Sequence, residues 1–226
     1  MSPAAIDAVL NRQPWNELRA VLRQVGAHDV ESALDRLRTY ARLVLEWNSG
    51  VSNIVSRNDE QRFVERHLLE SIAPARRMRE SGSTSWLDFG SGAGLPAIPL
   101  AIAGVGDRWK LVESRRTKTL FIRKTLQKIG LSHFEVVHDR LENVVLDPAG
   151  ARDRDGFTSR ATMALAPTLA LAAPLISAGG SAFLWKGSGA ENEMKEDIGW
   201  RENWEFSSLF PVGRGPNIVA IFIRKQ

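Results

Sequence analysis

Apolar positions in residues 1–83 recur every three or four residues, the period of one buried helix face. Leu18, Val21, Leu22 and Val25 keep this spacing and predict a helix that begins at Pro14 and ends near Gly26. Leu34, Leu37, Val44 and Trp47 predict a second helix over 30–47, stopping before Ser49-Gly50. Phe63, His67, Leu68 and Ile72 predict a third from Asn58 or Asp59, kinked or ended by Pro74. Residues 51–56 show neither period and read as an irregular connector.

After Ser83 the pattern switches. Short β-prone runs at 86–89, 109–112, 134–137, 157–160, 181–185 and 218–223 alternate with helical stretches at 95–103, 118–129 and 166–176. Strands alternating with helices of about a dozen residues predict a parallel sheet covered on both faces. From Trp204 onward no helix intervenes, so two strands joined through 211–216 predict an antiparallel hairpin. The expected fold is α/β, Rossmann-like, with a mostly parallel seven-stranded sheet. Residues 1–83 would be a helical cap and residues 84–226 the sheet domain.

Composition narrows the chemistry. The 226 residues, 43% apolar and 25% charged, suit one large domain or a domain with a helical extension. There is no cysteine, which excludes disulfides, thiolate metal ligands and a thiolate nucleophile. Met1-Ser2-Pro3-Ala4 does not read as a secretory leader, and the apolar stretch 161–178 is short for a bilayer span and carries Pro167 and Pro174. A cytoplasmic protein with no membrane partner is expected. The net charge of +4 says only that an anionic partner is compatible. Its distribution says more: residues 114–128 carry Arg115, Arg116, Lys118, Arg123, Lys124 and Lys128 and no acid.

The richest stretch runs Trp86-Leu87-Asp88-Phe89-Gly90-Ser91-Gly92-Ala93-Gly94-Leu95-Pro96. A buried strand enters three alternating glycines and then a helix, which lets backbone N–H groups approach a ligand closely. Glu113 closes the next strand, where a carboxylate can accept hydrogen bonds from both ribose hydroxyls. Gly92 to Ala97 matches the dinucleotide fingerprint, but Pro96 would interrupt that turn. The register Asp88, Gly90, Gly92, Gly94 suits S-adenosylmethionine instead, since an acidic group complements the methionine ammonium and no pyrophosphate needs a landing site.

Residues 87–100, Leu-Asp-Phe-Gly-Ser-Gly-Ala-Gly-Leu-Pro-Ala-Ile-Pro-Leu, resemble the signature of the small-subunit rRNA methyltransferase G family, also called glucose-inhibited division protein B. Asn53-Ile54-Val55-Ser56, Arg66-His67-Leu68-Leu69-Glu70-Ser71, Glu113-Ser114, Phe121-Ile122-Arg123, Arg140-Leu141-Glu142, Ser159-Arg160-Ala161 and Lys186-Gly187 agree in order and spacing. The resemblance covers roughly residues 40 to 224. It implies a class I methyltransferase domain that uses S-adenosylmethionine, releases S-adenosylhomocysteine and methylates N7 of one guanine in a decoding-region loop of 16S rRNA, guanosine 527. Free 16S rRNA or the small ribosomal subunit would be the partner, and the enzyme would act as a monomer.

The same resemblance implies roles for individual residues. Gly90 and Leu95 would line the cofactor, Glu113 would hold its ribose, and Leu141 and Glu142 would border the adenine. Arg160 would sit beside the cofactor where RNA enters, as a substrate-positioning candidate. His67, Arg115, Arg116, Lys118, Arg123, Arg140, Lys186 and Arg214 are the candidate RNA contacts. Three positions depart from the family's pattern: Thr117-Lys118 in place of a Lys-Arg pair, Glu70 in place of an aspartate, and Pro216-Asn217 in place of a basic pair.

The chemistry agrees with the composition. Guanine N7 offers a lone pair without a proton, so no general base is needed, and no metal is expected. Cytosine C5 methylation would call for a cysteine. Exocyclic amine methylation often uses an Asn/Asp-Pro-Pro-aromatic motif where this chain has Ser159-Arg160-Ala161. For several residues a plain reading stands beside the functional one. His67 satisfies a local hydrogen bond or touches substrate, the 115–128 cations are a solvated helix face or meet RNA, and Trp185 packs in the core or stacks on a base. The competing functions are a small-molecule methyltransferase and an RNA-binding module of the same fold without turnover.

Overall fold

The computed structural model describes residues 1–145 and 154–226. Helix α1 (Pro3–Asn11) has no counterpart in the expected elements; Ser2 caps it, its Oγ accepting the Ala5 N–H at 3.3 Å, and proline fills the first turn. Helices α2 (Trp15–Gln24) and α3 (Val30–Gly50) follow the apolar period, with Leu18, Leu22, Leu34, Leu37, Tyr40 and Val44 fully buried.

Helix α3 runs through Ser49-Gly50, past the expected end at Trp47. The reason is Asn48, whose side chain turns away to organise the connector. Its Oδ1 accepts from Ile54 N–H at 2.8 Å and its Nδ2 donates to Val55 O at 3.0 Å. The buried polar groups of the connector are thereby satisfied without ending the helix.

The third expected helix is instead four pieces. Helix α4 (Arg57–Glu60) is followed by a π-helical turn (Val64–Leu69), α5 (Glu70–Ile72) and, after Pro74, α6 (Ala75–Glu80). Proline starts α6 because its missing N–H is tolerated only in a first turn. The carbonyls of residues 66 and 67 in this turn also meet a donor from outside it, although His67 O already accepts the Glu70 N–H, and this matters below.

The sheet has seven strands: β1 (Ser85–Phe89), β2 (Arg108–Val112), β3 (Phe134–Val137), β4 (Arg154–Arg160), β5 (Ile176–Lys186), β6 (Trp204–Pro211) and β7 (Ile218–Arg224). Their spatial order is β3-β2-β1-β4-β5-β7-β6. The first five are parallel; β7 runs antiparallel to both β5 and β6, forming the expected terminal hairpin. The order reverses between β1 and β4, and the crevice beyond the carboxyl ends at that reversal is where such sheets bind ligands.

Helices α7 (Ala97–Ile102) and α8 (Arg116–Ile129) cover one sheet face together with the N-terminal helices; α9 (Leu141–Val145), α10 (Leu165–Ala172) and α11 (Ala190–Glu196) follow strands three, four and five. The first face holds Trp86, Trp109, Phe183 and Ile221 against Leu18, Leu34 and Tyr40; the second holds Leu87, Phe157, Leu184 and Phe222 against Leu165 and Leu169. Ile176, expected in a helix, opens β5, because Pro174 cannot donate into a helix and disfavours a helical residue before it. Among the described residues no helix is long and apolar enough to cross a membrane.

One contact in this core is unforgiving. A Cβ on Gly156 of β4 would lie 2.4 Å from the Trp86 indole, itself stacked on Trp109 at 5.7 Å. Gly156→Ala should therefore cost about 1–3 kcal/mol by overpacking, read as a lower urea midpoint at unchanged slope.

Candidate functional site

Strand β1 delivers the chain to the reversal, and the glycines turn it there. Gly90, Gly92 and Gly94 adopt φ of 68°, 58° and 85°, a left-handed region costly to side chains. Gly90 and Gly94 also lack room: an added Cβ would come within 2.4 Å of Thr162 Cγ2 and 2.3 Å of Ile98 Cδ1. The Gly90 and Ser91 N–H groups donate to Val112 O, at 2.9 and 3.2 Å, closing the loop against β2. Leu95 is half-buried at the loop's end.

Glu113 ties this loop to the one after β2. Its Oε2 accepts the Gly92 N–H at 2.9 Å and its Oε1 the Arg115 N–H at 2.8 Å, with the residue only 5% exposed. From the other side, the fully buried Tyr40 of α3 donates its hydroxyl to Ala93 O at 2.9 Å. Burial pushes the Tyr40 phenol's pKa up, so the hydroxyl keeps its proton.

Asp88 lies beneath the loop, fully buried. Thr158 Oγ1, directly across on β4, donates to its Oδ1 at 2.6 Å, while Oδ2 has no hydrogen-bond partner among the described residues. Burial raises its pKa from the ordinary 3.8 to about 7. A raised acid pKa means that folding takes up a proton. The group's favourable contribution is present below about pH 4 and is lost as pH climbs through about 7. The urea stability of ligand-free protein, compared with Asp88→Asn, should fall across that window, by an amount on the order of a few kcal/mol.

Beyond β3, Asp139 accepts from Arg140 N–H at 2.7 Å and from Asn143 Nδ2 at 2.6 Å; the Asn143 contact first, then the backbone one, lowers its pKa. Leu141 is buried behind this turn, whereas Glu142 and Arg140 face solvent. Of the acid-free segment, Arg115 and Arg116 are exposed at the start of α8. Lys118 Nζ reaches to 3.9 Å from where a Gly92 Cβ would stand, so it attends the glycine loop. Arg123 donates to Val136 O at 2.9 Å, and Lys124 sits 5.5 Å over the Trp47 ring.

A cavity of about 430 Å³ adjoins the loop, over the carboxyl ends of β4 and β5. The N-terminal helices supply one side, through Asp59, Arg66, His67 and Glu70, and the segment after β4, Ser159 to Met163, supplies another. Thr162 links the cavity to Gly90, and Ala161 holds φ of 53°, a strained conformation that aims this segment across the strand end.

Arg160 is almost buried, and its fork is fully used inside the protein. It donates from Nη2 to Arg66 O at 2.6 Å and Glu70 Oε2 at 3.0 Å, and from Nη1 to Ser71 Oγ at 3.2 Å and His67 O at 3.5 Å. Both carbonyls belong to the π-helical turn. Burial lowers the guanidinium's pKa, and Glu70 opposes that shift.

Glu70, 3% exposed, is the centre of this network. Asn217 Nδ2 donates to its Oε1 at 3.0 Å, Arg66 Nη1 lies 3.3 Å from the same oxygen, and the Trp185 indole donates to its main-chain carbonyl at 2.9 Å. Two of the three positions that depart from the resembled pattern, Glu70 and Asn217, thus touch one another. Trp185 is a core residue here, 5% exposed.

His67 lies against Phe63, ring centroids 5.2 Å apart, with both nitrogens buried and without a hydrogen bond. Burial, reinforced by Arg160 and Arg66, pushes its pKa down to about 3, so the ring is neutral. Lys186 is held by Glu193 Oε2 and Met163 O, each at 2.8 Å, and Arg214 reaches Glu17 of α2 at 3.2 Å on the surface. The structure therefore gathers Asp88, the glycines and Glu113 at one place and His67, Arg160 and Lys186 at the adjoining cavity. Arg115, Arg116 and Arg140 stay on the surface around them. Tyr40, Asp59, Glu70, Thr158 and Asn217 were not expected. Tyr40, Thr158 and Asn217 carry no local signal because each acts through a partner on a distant element, whereas Asp59 and Glu70 also have partners close in sequence, His67 and Arg66. Among the described residues no cluster of His, Asp and Glu forms a metal-binding group.

Comparison with known proteins places these features in a wider set. The family described as rRNA small subunit methyltransferase G matches residues 33–211. A ribosomal RNA small subunit methyltransferase G from Polynucleobacter asymbioticus is 36% identical over 177 residues, covering 77% of this chain and 78% of that protein. One from Geobacillus thermodenitrificans is 29% identical over 215 residues, covering 92% and 90%. Among solved structures, an rRNA methylase from Streptococcus thermophilus superposes with a TM-score of 0.52 at 14% identity, covering 70% of this chain and 97% of its own.

Proposed function

The chain belongs to the rRNA small subunit methyltransferase G family, and from that membership we propose that it transfers a methyl group from S-adenosylmethionine to N7 of one guanine in 16S rRNA. The family's target, guanosine 527, is the nucleotide proposed. The observation that carries the reading is the junction at Gly90: a glycine loop braced by Glu113 packs against Thr162, which also lines the adjoining cavity of about 430 Å³.

The residues fit the cofactor. Gly92 leaves open space beside the loop backbone, Glu113 offers a buried carboxylate to a ribose, and Asp88 Oδ2, without a partner among the described residues, would complement an ammonium. When bound, the cofactor supplies a methyl group already activated on a sulfonium. The protein's part is orientation and exclusion of water. Guanine N7 has an in-plane lone pair and no proton, so no side chain has to remove one at the reacting atom. The wall from Ser159 to Met163 would hold the base edge toward the glycine loop, and Leu141 and Glu142 would flank the adenine.

Residues 1–83 serve in this reading as a cap and residues 84–226 as the transfer domain. The cap side reaches the site through Tyr40, Asp59, Arg66, His67 and Glu70. Exposed Arg115, Arg116, Arg123 and Arg140 would meet phosphates, whereas Lys186 spends its charge on Glu193. The enzyme would work as a cytoplasmic monomer, with S-adenosylhomocysteine as product.

Tyr40 gives a specific check on the cap's part. Tyr40→Phe removes the hydroxyl that holds Ala93 O, so KM for S-adenosylmethionine should rise about 3- to 10-fold with little change in kcat, by steady-state transfer assays. The function itself is tested by incubating purified protein with labelled cofactor and small-subunit rRNA, then digesting the RNA. Label in N7-methylguanosine is expected; label elsewhere, or none on either free RNA or the subunit, overturns the reading.

A further inference from the structure

The cavity holds three carboxylates, and two of them are taken. Glu70 is bound by Arg160, Arg66 and Asn217, and Glu193 by Lys186 and the Leu165 N–H at 2.8 Å. Asp59 is different: among the described residues no N–H or O–H donates to its carboxylate, and its side chain is 29% exposed at the cavity wall. His67 Nε2 lies 3.6 Å from its Oδ2, just beyond hydrogen-bond length, and Arg62 and Arg160 act on it only through their charge. An unengaged carboxylate is a poor lining for a site that admits a polyanion, unless the ligand brings hydrogen-bond donors to it.

Guanine does so. Its Watson–Crick edge presents two adjacent donors, N1–H and the 2-amino group, which match the two oxygens of a carboxylate. Adenine sets an acceptor, N1, beside its amine and would face a carboxylate lone pair to lone pair. Guanine N7 lies on the side of the base away from N1 and the amine. A base gripped by its Watson–Crick edge on the cap side therefore turns N7 toward the Ser159–Thr162 wall and the glycine loop behind it.

We propose that Asp59 is the residue that reads the substrate base as guanine, accepting from N1–H and the 2-amino group, and that His67 is a positioning residue that holds Asp59 from beneath. The inference rests on the guanine-N7 reading above. It also requires the base to leave its stack to enter the cavity, as enzymes that act on bases commonly require. His67 is neutral, and its nitrogens are shielded from the cavity, so its one available act is to donate an N–H to the carboxylate as that group swings to meet the base. Both residues lie on the α4 and π-helical pieces, which fixes their spacing without help from the sheet.

The test uses ligated small-subunit rRNA in which the guanosine methylated by wild-type protein is replaced by inosine, which lacks only the 2-amino group. Wild-type kcat/KM should be about 10- to 100-fold higher for guanosine than for inosine. Asp59→Ala should bring that ratio close to one, by losing more activity on guanosine, which gives up both contacts, than on inosine, which gives up only the one from N1–H. His67→Leu should also shrink the ratio, and His67→Gln, which keeps a donor, should restore most of it. Because the ratio compares two substrates with one enzyme preparation, partial unfolding of a variant does not move it. An Asp59→Ala enzyme that keeps the wild-type ratio overturns the inference and leaves the proposed reaction standing. Wild-type enzyme that makes no N7-methylguanosine overturns the reaction first.

Discussion

Replacing Glu113 by alanine lowers affinity for S-adenosylmethionine by about 100- to 1,000-fold, the largest loss of cofactor binding expected from a single change. The carboxylate accepts two backbone N–H bonds, from Gly92 at 2.9 Å and Arg115 at 2.8 Å, and so holds the loops after β1 and β2 at one spacing. Hydrogen bonds to a charged group contribute roughly 1.5–3 kcal/mol each. Losing the brace and the proposed ribose contacts together gives the stated range. Glu113→Gln should retain part of the affinity, since the amide oxygen still accepts one N–H while its NH₂ faces the other. Calorimetric titration of cofactor into each variant measures this directly. Far-ultraviolet dichroism should be unchanged, because Glu113 lies at the carboxyl end of the sheet and outside both apolar cores.

Arg160→Ala has the largest expected effect on stability. The guanidinium satisfies two main-chain carbonyls, one hydroxyl and the buried Glu70 carboxylate. Removing one partner of a buried ion pair typically costs about 3–5 kcal/mol, because the remaining charge stays desolvated. Arg66 and Asn217 still reach Glu70, which argues for the lower half of that range. For a chain of this size the melting temperature should fall by roughly 6–15 °C in scanning calorimetry. Arg160→Lys should recover little, since a single ammonium cannot address four acceptors spread over a planar fork. Truncating the Arg160+Glu70 pair together should cost less than the sum of the two single changes.

These two residues also mark what could and could not be read from the sequence. Glu113 was legible because strand, glycines and distal carboxylate follow one another at fixed offsets, and the local backbone dictates their meeting. The strands were legible for the same reason, as β-prone runs between turn signals. Resemblance singled out Arg160 as a candidate beside the cofactor, but its partners inside the protein were not legible. Glu70 and Asn217 are 147 residues apart and read as two unrelated departures from a family pattern. Tyr40 and Ala93, 53 residues apart, look like an ordinary core aromatic and a loop alanine. The π-helical turn was missed because the spacing Phe63, His67, Leu68 and Ile72 fits an ordinary helix. The wider turn meets a tertiary partner that the spacing does not show, Arg160, which donates to the carbonyls of Arg66 and His67. The early end of α10 shows the opposite case: Pro174 was visible, and a 3.6-residue period carried the expected helix past it.

The absence of cysteine, first an exclusion, is consistent with the chemistry that the site supports. A nucleophile that carries its own lone pair needs a rigid cradle and a selective cavity more than an acid–base pair. The central claim is that this cradle and cavity serve one guanine N7 of the small subunit. The most direct test is mass mapping of methylated nucleosides in 16S rRNA from cells with and without this gene. Loss of a single N7-methylguanosine, restored by the wild-type gene and not by Glu113→Ala, is the predicted result; an unchanged N7-methylguanosine signal would contradict it.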